Sequence, residues 1–269
     1  VLLFVRDCRC IEFIAHIMKG IGAFLFFSVA MCWNGPALSQ EKTGFGQVAS
    51  RPVPQVKAKR KGAGLAWQRL NDEVLSLTNS GKYERAIIVG RQALELARES
   101  AGMKHPDVAV ALNNLARVYS MMEQYEEALP LYEKALSVNE FAHGKDHLNV
   151  AGSLNNLAVV YSRLDKPKMA LPLYDRALVL YEKQLGESHL HVASLLNNIA
   201  VLYEGEEDFS RAEQLYLRSL KIKEGALGKG DLRLVSTMNN LASLYELTDR
   251  KDKALEMKVR ALQIERNSN

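Results

Sequence analysis

The chain is poor in cysteine and carries little net charge. Of its 269 residues only three are cysteines, Cys8, Cys10 and Cys32, and all three precede Ser39. A chain cut after Ser39 would have no thiol, which would exclude disulfides and cysteine metal sites from it. The net charge of +4 is dispersed along the sequence and is too weak to predict binding to nucleic acid.

The sequence also lacks the motifs that usually mark catalysis. It has no nucleophile elbow, Walker loop, dinucleotide-binding glycine motif or His-Glu metalloprotease helix. Its many Asp and Glu residues fall at the solvent positions of amphipathic patterns, where charged residues are ordinary. We therefore expect a protein that is not an enzyme, with no cofactor, no metal ion and no small-molecule substrate.

One apolar run, from Ile21 to Trp33, lies near the N-terminus. It is shorter than the roughly 20 residues that span a bilayer. A Gly-Pro breaker follows it, and the small residues Ala37 and Ser39 stand at the third and first positions before a candidate cleavage site. This pattern predicts an export signal region over 1–39 and a periplasmic or extracellular protein.

Other interpretations of this segment stay open. Ile11 to Ile17 adds apolar length upstream, and the two runs together would form an uncleaved membrane anchor. Alternatively, Cys32 would be the modified cysteine of a lipoprotein signal, although Met31 is larger than the residue usually found before it. Because residues 1–17 do not fit a signal that begins at Met18, we expect the true start at Met18. Peptides from 1–17 in the precursor would contradict that expectation.

The stretch 40–63 is rich in Gly, Pro, Lys, Arg and Gln and has little to bury, so it is predicted to be a flexible linker. It contains a short basic cluster, Lys57, Lys59, Arg60 and Lys61. The cluster is interpreted as a solvated tether. The alternative is attachment to an anionic surface such as a membrane.

An Asn-Asn pair recurs at a fixed interval of 42 residues. The pairs are Asn113-Asn114, Asn155-Asn156, Asn197-Asn198 and Asn239-Asn240. A period between about 20 and 50 residues is typical of a solenoid, in which each unit buries its apolar face against its neighbours. A solenoid offers a long surface, so the repeat predicts binding before any single residue is considered.

Each repeat contains two helical patterns, called here the A and B helices. In the A pattern Leu112, Leu115, Ala116 and Tyr119 share one face. The B pattern begins near Tyr125 and keeps alanines at fixed places, where two helices can approach closely. The period predicts an all-α domain with about five antiparallel helix pairs, of which the first and last are degraded. The domain covers 64–269, with repeats at about 64–105, 106–147, 148–189, 190–231 and 232–269.

The links between repeats are periodic too. A glycine that can take the left-handed conformation ends each of the first four B helices, and a polar residue follows three positions later. The glycines are Gly102, Gly144, Gly186 and Gly228, and the polar residues are His105, His147, His189 and Asp231. Equivalent points on neighbouring repeats are at least about 8–10 Å apart, so these histidines cannot share one metal ion. We expect them at helix starts or in loop packing.

These residues resemble the tetratricopeptide repeat family. The pattern from Leu112 through Ala116, Tyr119 and Tyr132 to Ala135 matches the small and large positions of that family. The usual family period is about 34 residues. The longer period, the Asn-Asn-Leu-Ala core and the His-Pro-Asp-Val-Ala link resemble the kinesin-light-chain type. The resemblance implies a right-handed superhelical solenoid whose concave groove binds a partner protein or an extended peptide.

The candidate binding residues lie on the face of the A helices opposite the core. The residues assigned to a peptide-binding groove are Asn114, Arg117, Asn156, Arg163, Asn198 and Asn240. An amide both donates and accepts, so such a row suits a peptide backbone, and the arginines suit a carboxylate. In related repeat domains asparagines at the position of Asn114 contact peptides, and the resemblance implies the same for its three copies.

Two neighbouring sets of positions are interpreted differently. The first asparagine of each pair lies at the edge of the buried face, where we expect it to hydrogen-bond across the seam between repeats. The carboxylate clamp of the family needs lysines one turn before the second asparagine. Those positions hold Val110, Gly152, Ser194 and Ser236, so a dedicated clamp is not expected.

The sequence therefore predicts a non-catalytic interaction module or scaffold of the cell envelope. The alternative is a structural scaffold that self-associates, or presents an enzyme partner, through its convex face or its ends. Contact with a membrane is expected only through the N-terminal segment, and only if that segment is not cleaved.

Overall fold

The computed structural model describes residues 64–268, which form ten α-helices in five antiparallel pairs. They are α1 (Gly64–Asn79), α2 (Tyr83–Ala101), α3 (Pro106–Met121), α4 (Tyr125–His143), α5 (Leu148–Arg163), α6 (Pro167–Leu185), α7 (Leu190–Gly205), α8 (Phe209–Leu227), α9 (Val235–Leu247) and α10 (Lys251–Asn267). Odd numbers are A helices and even numbers are B helices. A 3₁₀ turn, Leu232–Leu234, precedes α9. The predicted all-α solenoid of five helix pairs is confirmed.

The predicted signal region, the basic linker and all three cysteines lie outside the described residues. Within the described range, every helix is too short or too polar to cross a membrane.

The core is a column of small and large side chains that repeats with the sequence period. Ala128, Ala170 and Ala212 are fully buried where each B helix crosses its A partner. Tyr174 and Tyr216 are the largest fully buried side chains and fill the space beside those alanines. Each B helix then packs on the next A helix, as α2 does on α3 and α4 on α5. Each unit is therefore stabilised mainly by its sequence neighbours.

The turns from A to B helices have a feature that sequence reasoning missed. Glu123, Asp165, Glu207 and Asp249 all have positive φ, between 55° and 60°. Around Glu123 the Gln124 N–H donates to the Tyr119 carbonyl at 2.9 Å, and the Glu123 N–H donates to the Ser120 carbonyl at 3.1 Å. This is a Schellman ending with an acidic residue in the place that glycine usually takes. The sequence did contain a signal for this conformation, because Gly81 holds the equivalent position in the first repeat.

The links from B to A helices agree with prediction in part. Gly102, Gly144, Gly186 and Gly228 have the expected positive φ, 83° to 85°, but their ψ is 153° to 159°. That conformation is extended rather than left-handed helical, and it is essentially confined to glycine. Three residues later the predicted helix-start role of the histidines is confirmed. His105, His147 and His189 are N-caps of α3, α5 and α7, and Asp231 caps the 3₁₀ turn before α9.

Candidate functional site

The A helices line the inner side of the solenoid. On that side α1 contacts α3, α5 contacts α7, and α7 contacts α9. Successive B helices are instead bridged by ion pairs between long side chains. These pairs are Arg176–Glu140 at 2.6 Å, Arg218–Glu182 at 2.7 Å and Arg260–Glu224. The closer approach of the A helices curves the stack toward them. We call the exposed surface of α3, α5, α7 and α9 the groove.

Asparagine side chains form a ladder across the seams between successive A helices. In each rung the second asparagine of one repeat donates Nδ2–H to Oδ1 of the first position of the repeat before it. The rungs are Asn114 to Asn71 at 2.9 Å, Asn198 to Asn155 at 3.1 Å and Asn240 to Asn197 at 3.4 Å. The predicted seam role is thus confirmed for Asn155 and Asn197. It is wrong for Asn239, which is exposed because the described residues contain no A helix beyond α9.

Three of the second asparagines, Asn114, Asn198 and Asn240, therefore take part in the seam. Asn198 and Asn240 are 4% and 9% exposed, so most of their surface is covered by neighbouring repeats. Asn114 and Asn156 are half-buried. The sequence assigned seam and groove to different members of the pair, whereas the structure uses both members in one bond.

One rung of the ladder is open. Oδ1 of Asn113 is buried and has no hydrogen-bond partner among the described residues, so Asn156 does not donate to it. Asn156 lies at the centre of the groove, in the third of the five repeats. Its amide is therefore not committed to the neighbouring repeat through Asn113.

The third repeat, which contains Asn156, has an unsatisfied polar group of its own. The hydroxyl of Tyr174 is buried and has no hydrogen-bond partner among the described residues. The equivalent Tyr216 hydroxyl donates to Oε2 of Glu204 at 2.7 Å. Burial raises the pKa of Tyr174 above its ordinary value, and the nearby charge of Arg163 opposes that shift. The hydroxyl therefore stays protonated and can act as a donor.

The two groove arginines differ in their surroundings. Arg117 donates from Nη2 to Oδ1 of Asn79 at 2.8 Å, which ties it to the first A helix. Arg163 is exposed at the last residue of α5. The structure thus places Arg163 in the same repeat as Asn156, and Arg117 one repeat earlier.

Small residues occupy the groove one turn before the second asparagines. Val110, Gly152, Ser194 and Ser236 are all half-buried. A Cβ added at Gly152 would meet only the Tyr181 hydroxyl, at 3.6 Å, which is an ordinary contact. These positions leave room for side chains of a bound peptide.

Helix pairs stacked around a concave row of amides define a solenoid of the interaction-scaffold class. The tetratricopeptide repeat family model matches residues 74–140, 122–183, 149–225 and 192–267. The chain therefore belongs to the tetratricopeptide repeat family, and the resemblance noted in the sequence is confirmed. Members of this family serve as interaction modules. No curated protein matches the chain.

Solved structures share the fold. BtubC (BKLC) from P. vanneervenii is 28% identical, with a TM-score of 0.65 over 77% of this chain and 82% of that one. A set of nearly identical repeats of the kinesin light chain type from Podosopora anserina is 18% identical, with a TM-score of 0.62 over 76% of this chain and 97% of that one. MamA from Desulfovibrio magneticus RS-1 is 13% identical, with a TM-score of 0.53 over 77% and 99%. The last two show the fold alone.

Proposed function

We propose that the chain is a non-catalytic scaffold that holds an extended peptide of a partner protein in the groove. The observation that carries the proposal is the open rung between Asn113 of the second repeat and Asn156 of the third, central repeat. Membership of the tetratricopeptide repeat family supports a protein-interaction role in general. The export signal predicted over 1–39 would place this scaffold in the cell envelope.

The chemistry of the central repeat suits a peptide backbone. A buried acceptor without a partner costs about 1–3 kcal/mol, which makes the seam between Asn113 and Asn156 the weakest rung of the ladder. Asn156 can donate to a ligand carbonyl, and Arg163 can pair with an acidic side chain or a C-terminal carboxylate. Main-chain capture of this kind gives affinity, while the small residues beside it set which side chains fit.

The test is peptide selection on the intact chain, followed by affinity measurement on point variants. Peptides enriched from a random display library should bind Asn156→Ala about tenfold more weakly than the wild type, the usual effect of losing one or two hydrogen bonds. Because Asn156 makes no seam bond, this variant should keep the wild-type melting temperature.

Asn239→Ala is the matched control, since it removes the same side chain from an exposed position outside the open rung. It should leave both affinity and melting temperature unchanged. Peptides that bind Asn156→Ala and Arg163→Ala as tightly as the wild type would exclude the groove and contradict the proposal.

A second candidate function, self-association through an end of the solenoid, is favoured by a separate observation. Leu255, Val259 and Leu262 share one face of α10 and are 62%, 42% and 63% exposed. Leu94 and Leu220, which occupy the register of Leu262 in earlier repeats, are buried. If this face pairs two copies, the mass measured by light scattering should rise with concentration, and Leu255→Lys with Leu262→Lys should abolish the rise. A constant mass for the wild type would contradict self-association.

A further inference from the structure

Histidine caps the starts of three successive A helices. Nδ1 of His105, His147 and His189 accepts the backbone N–H two residues later, at 3.2, 3.1 and 3.1 Å. In the last repeat Oδ1 of Asp231 accepts from the Arg233 N–H at 2.9 Å instead. Such a cap satisfies one of the free N–H groups at a helix start. A protonated imidazole has no acceptor, so only the neutral ring can serve as a cap.

At α5 and α7 a second histidine stacks on the capping one. The rings of His143 and His147 have centroids 4.4 Å apart, and those of His189 and His191 have centroids 5.0 Å apart. Asn149 Nδ2 lies 3.1 Å from Nε2 of His143 and donates to the neutral ring. His143 is the last residue of α4, and His191 lies in the first turn of α7. Each of them therefore stacks on a capping histidine whose ring must be neutral.

We propose that the pairs His143–His147 and His189–His191 are two acid-sensitive latches, which hold the starts of α5 and α7 when neutral and release them when protonated. Histidine is the side chain that ordinarily changes charge between about pH 5 and pH 8. Protonation removes the cap acceptor and also places two positive rings in contact, so both effects act in the same direction. The released helices carry Asn156 and Asn198, although the latch itself does not depend on peptide binding.

The surroundings of the two pairs favour the neutral rings. Burial lowers the pKa of His143, and the charges of His147 and His105 lower it further. Burial lowers the pKa of His191, and His189 adds to the effect. The unfolded chain therefore binds protons more readily than the folded one. Stability from these groups is present above their ordinary pKa and is lost as the pH falls through the lowered values.

The other charged and titratable groups near the pairs do not reverse this effect. At the first pair they are His105, Lys145, Asp146, and Arg176 with its partner Glu140. At the second they are Tyr181, Glu187, and Arg218 with its partner Glu182. Asp146 and Glu187 are both exposed, so solvent screens their charges. The cap of α3 differs, because Oδ2 of Asp107 lies 3.4 Å from Nδ1 of His105 and would pair with the protonated ring. We therefore exclude α3 from the latch.

The test is hydrogen–deuterium exchange of the intact chain at about pH 8 and about pH 5, corrected for the intrinsic exchange rate at each pH. Protection at the starts of α5 and α7 should fall about five- to tenfold in acid, the change expected for loss of one helix cap. Protection at the 3₁₀ turn before α9 should not change, because Asp231 caps that turn and its hydrogen bond from Arg233 holds its pKa at about 2.

The double variant His147→Asp with His189→Asp copies the Asp231 cap into both latches. It should fold, since aspartate is a favoured N-cap, and it should keep its protection in acid. Wild-type protection that is unchanged in acid would overturn the proposal. So would an equal loss at α9, or an acid response that persists in the double variant.

Discussion

At the scale of single residues, the same place in the seam between a B helix and the next A helix accepts different polar pairs. Nδ2 of Asn139 donates to Oγ of Ser153 at 2.8 Å. Two repeats later Nζ of Lys223 donates to Oγ1 of Thr237 at 2.7 Å. Lys223 is only 7% exposed, and burial lowers its pKa from 10.5 to about 8. The lysine is thus a buried cation whose hydrogen-bond partner, the Thr237 hydroxyl, is neutral.

Replacing Lys223 by methionine should stabilise the protein near neutral pH. Below about pH 8 both the folded and the unfolded chain carry the charge, so the full cost of burying it is present. Between about pH 8 and 10.5 the folded chain loses its proton first, and the stability of the wild type should rise by roughly 1–3 kcal/mol. Lys223→Met should be more stable at pH 7 and lack this rise in urea unfolding measured across the range.

Lys221→Met is the control, because Lys221 lies in the same helix but is exposed. It should follow the wild-type pH dependence. A Lys223→Met variant that is less stable at neutral pH would show that the bond to Thr237 outweighs the cost of burial.

At the scale of elements, the helices end through two different backbone devices. Four of the five A helices, α3, α5, α7 and α9, end with an acidic residue in the left-handed region, as at Asp165 with φ of 55°. The first four B helices end with glycine at a φ and ψ that other residues rarely adopt, as at Gly144. A Cβ at Gly144 would meet nothing within 4 Å, so the need for glycine comes from the backbone alone.

Gly144→Ala should therefore destabilise the protein by about 1–3 kcal/mol, the usual cost of such backbone strain. Gly225→Ala is the matched control, since Gly225 lies within α8 and also has open space around it. It should stabilise the protein by roughly 0.5–1 kcal/mol, because alanine is the better helix former. Thermal unfolding shows whether each variant is more or less stable than the wild type. Equal changes in melting temperature would contradict the assignment of strain to Gly144.

At the scale of the whole molecule, the solenoid is held by contacts between neighbouring helix pairs. A change in a central pair should therefore disturb both of its neighbours, while a change in the last described pair should disturb only one. Ala177 in α6 and Ala261 in α10 hold the same position in the repeat, and both are buried.

Aspartate at either position buries a charge without a partner, which costs several kcal/mol. In hydrogen exchange, Ala261→Asp should unfold α9 and α10 while α1 to α6 keep their protection. Ala177→Asp should lower protection in the helix pairs on both sides of α6. Identical exchange patterns in the two variants would mean that the domain unfolds as one cooperative unit.

How far the sequence predicts the site depends on how far apart the interacting residues lie along the chain. The groove residues were assigned from one turn of an A helix, which decides which side chains oppose the core, and their role in binding stays a prediction. Their bonding was not predictable in the same way. Each rung joins residues 43 positions apart, such as Asn155 and Asn198, so it depends on how closely two repeats approach.

The sequence by itself determined the helix pairs, their number, the glycine at each link and the histidine at the starts of α3, α5 and α7. These follow from local conformational preference and from a strict period of 42 residues. Only the tertiary structure decided that Oδ1 of Asn113 has no hydrogen-bond partner within residues 64–268, that Lys223 is buried, and that Leu262 is exposed. Equivalent residues have the same local sequence context but different neighbours, and the packing between repeats determines which polar group is satisfied and which face stays open.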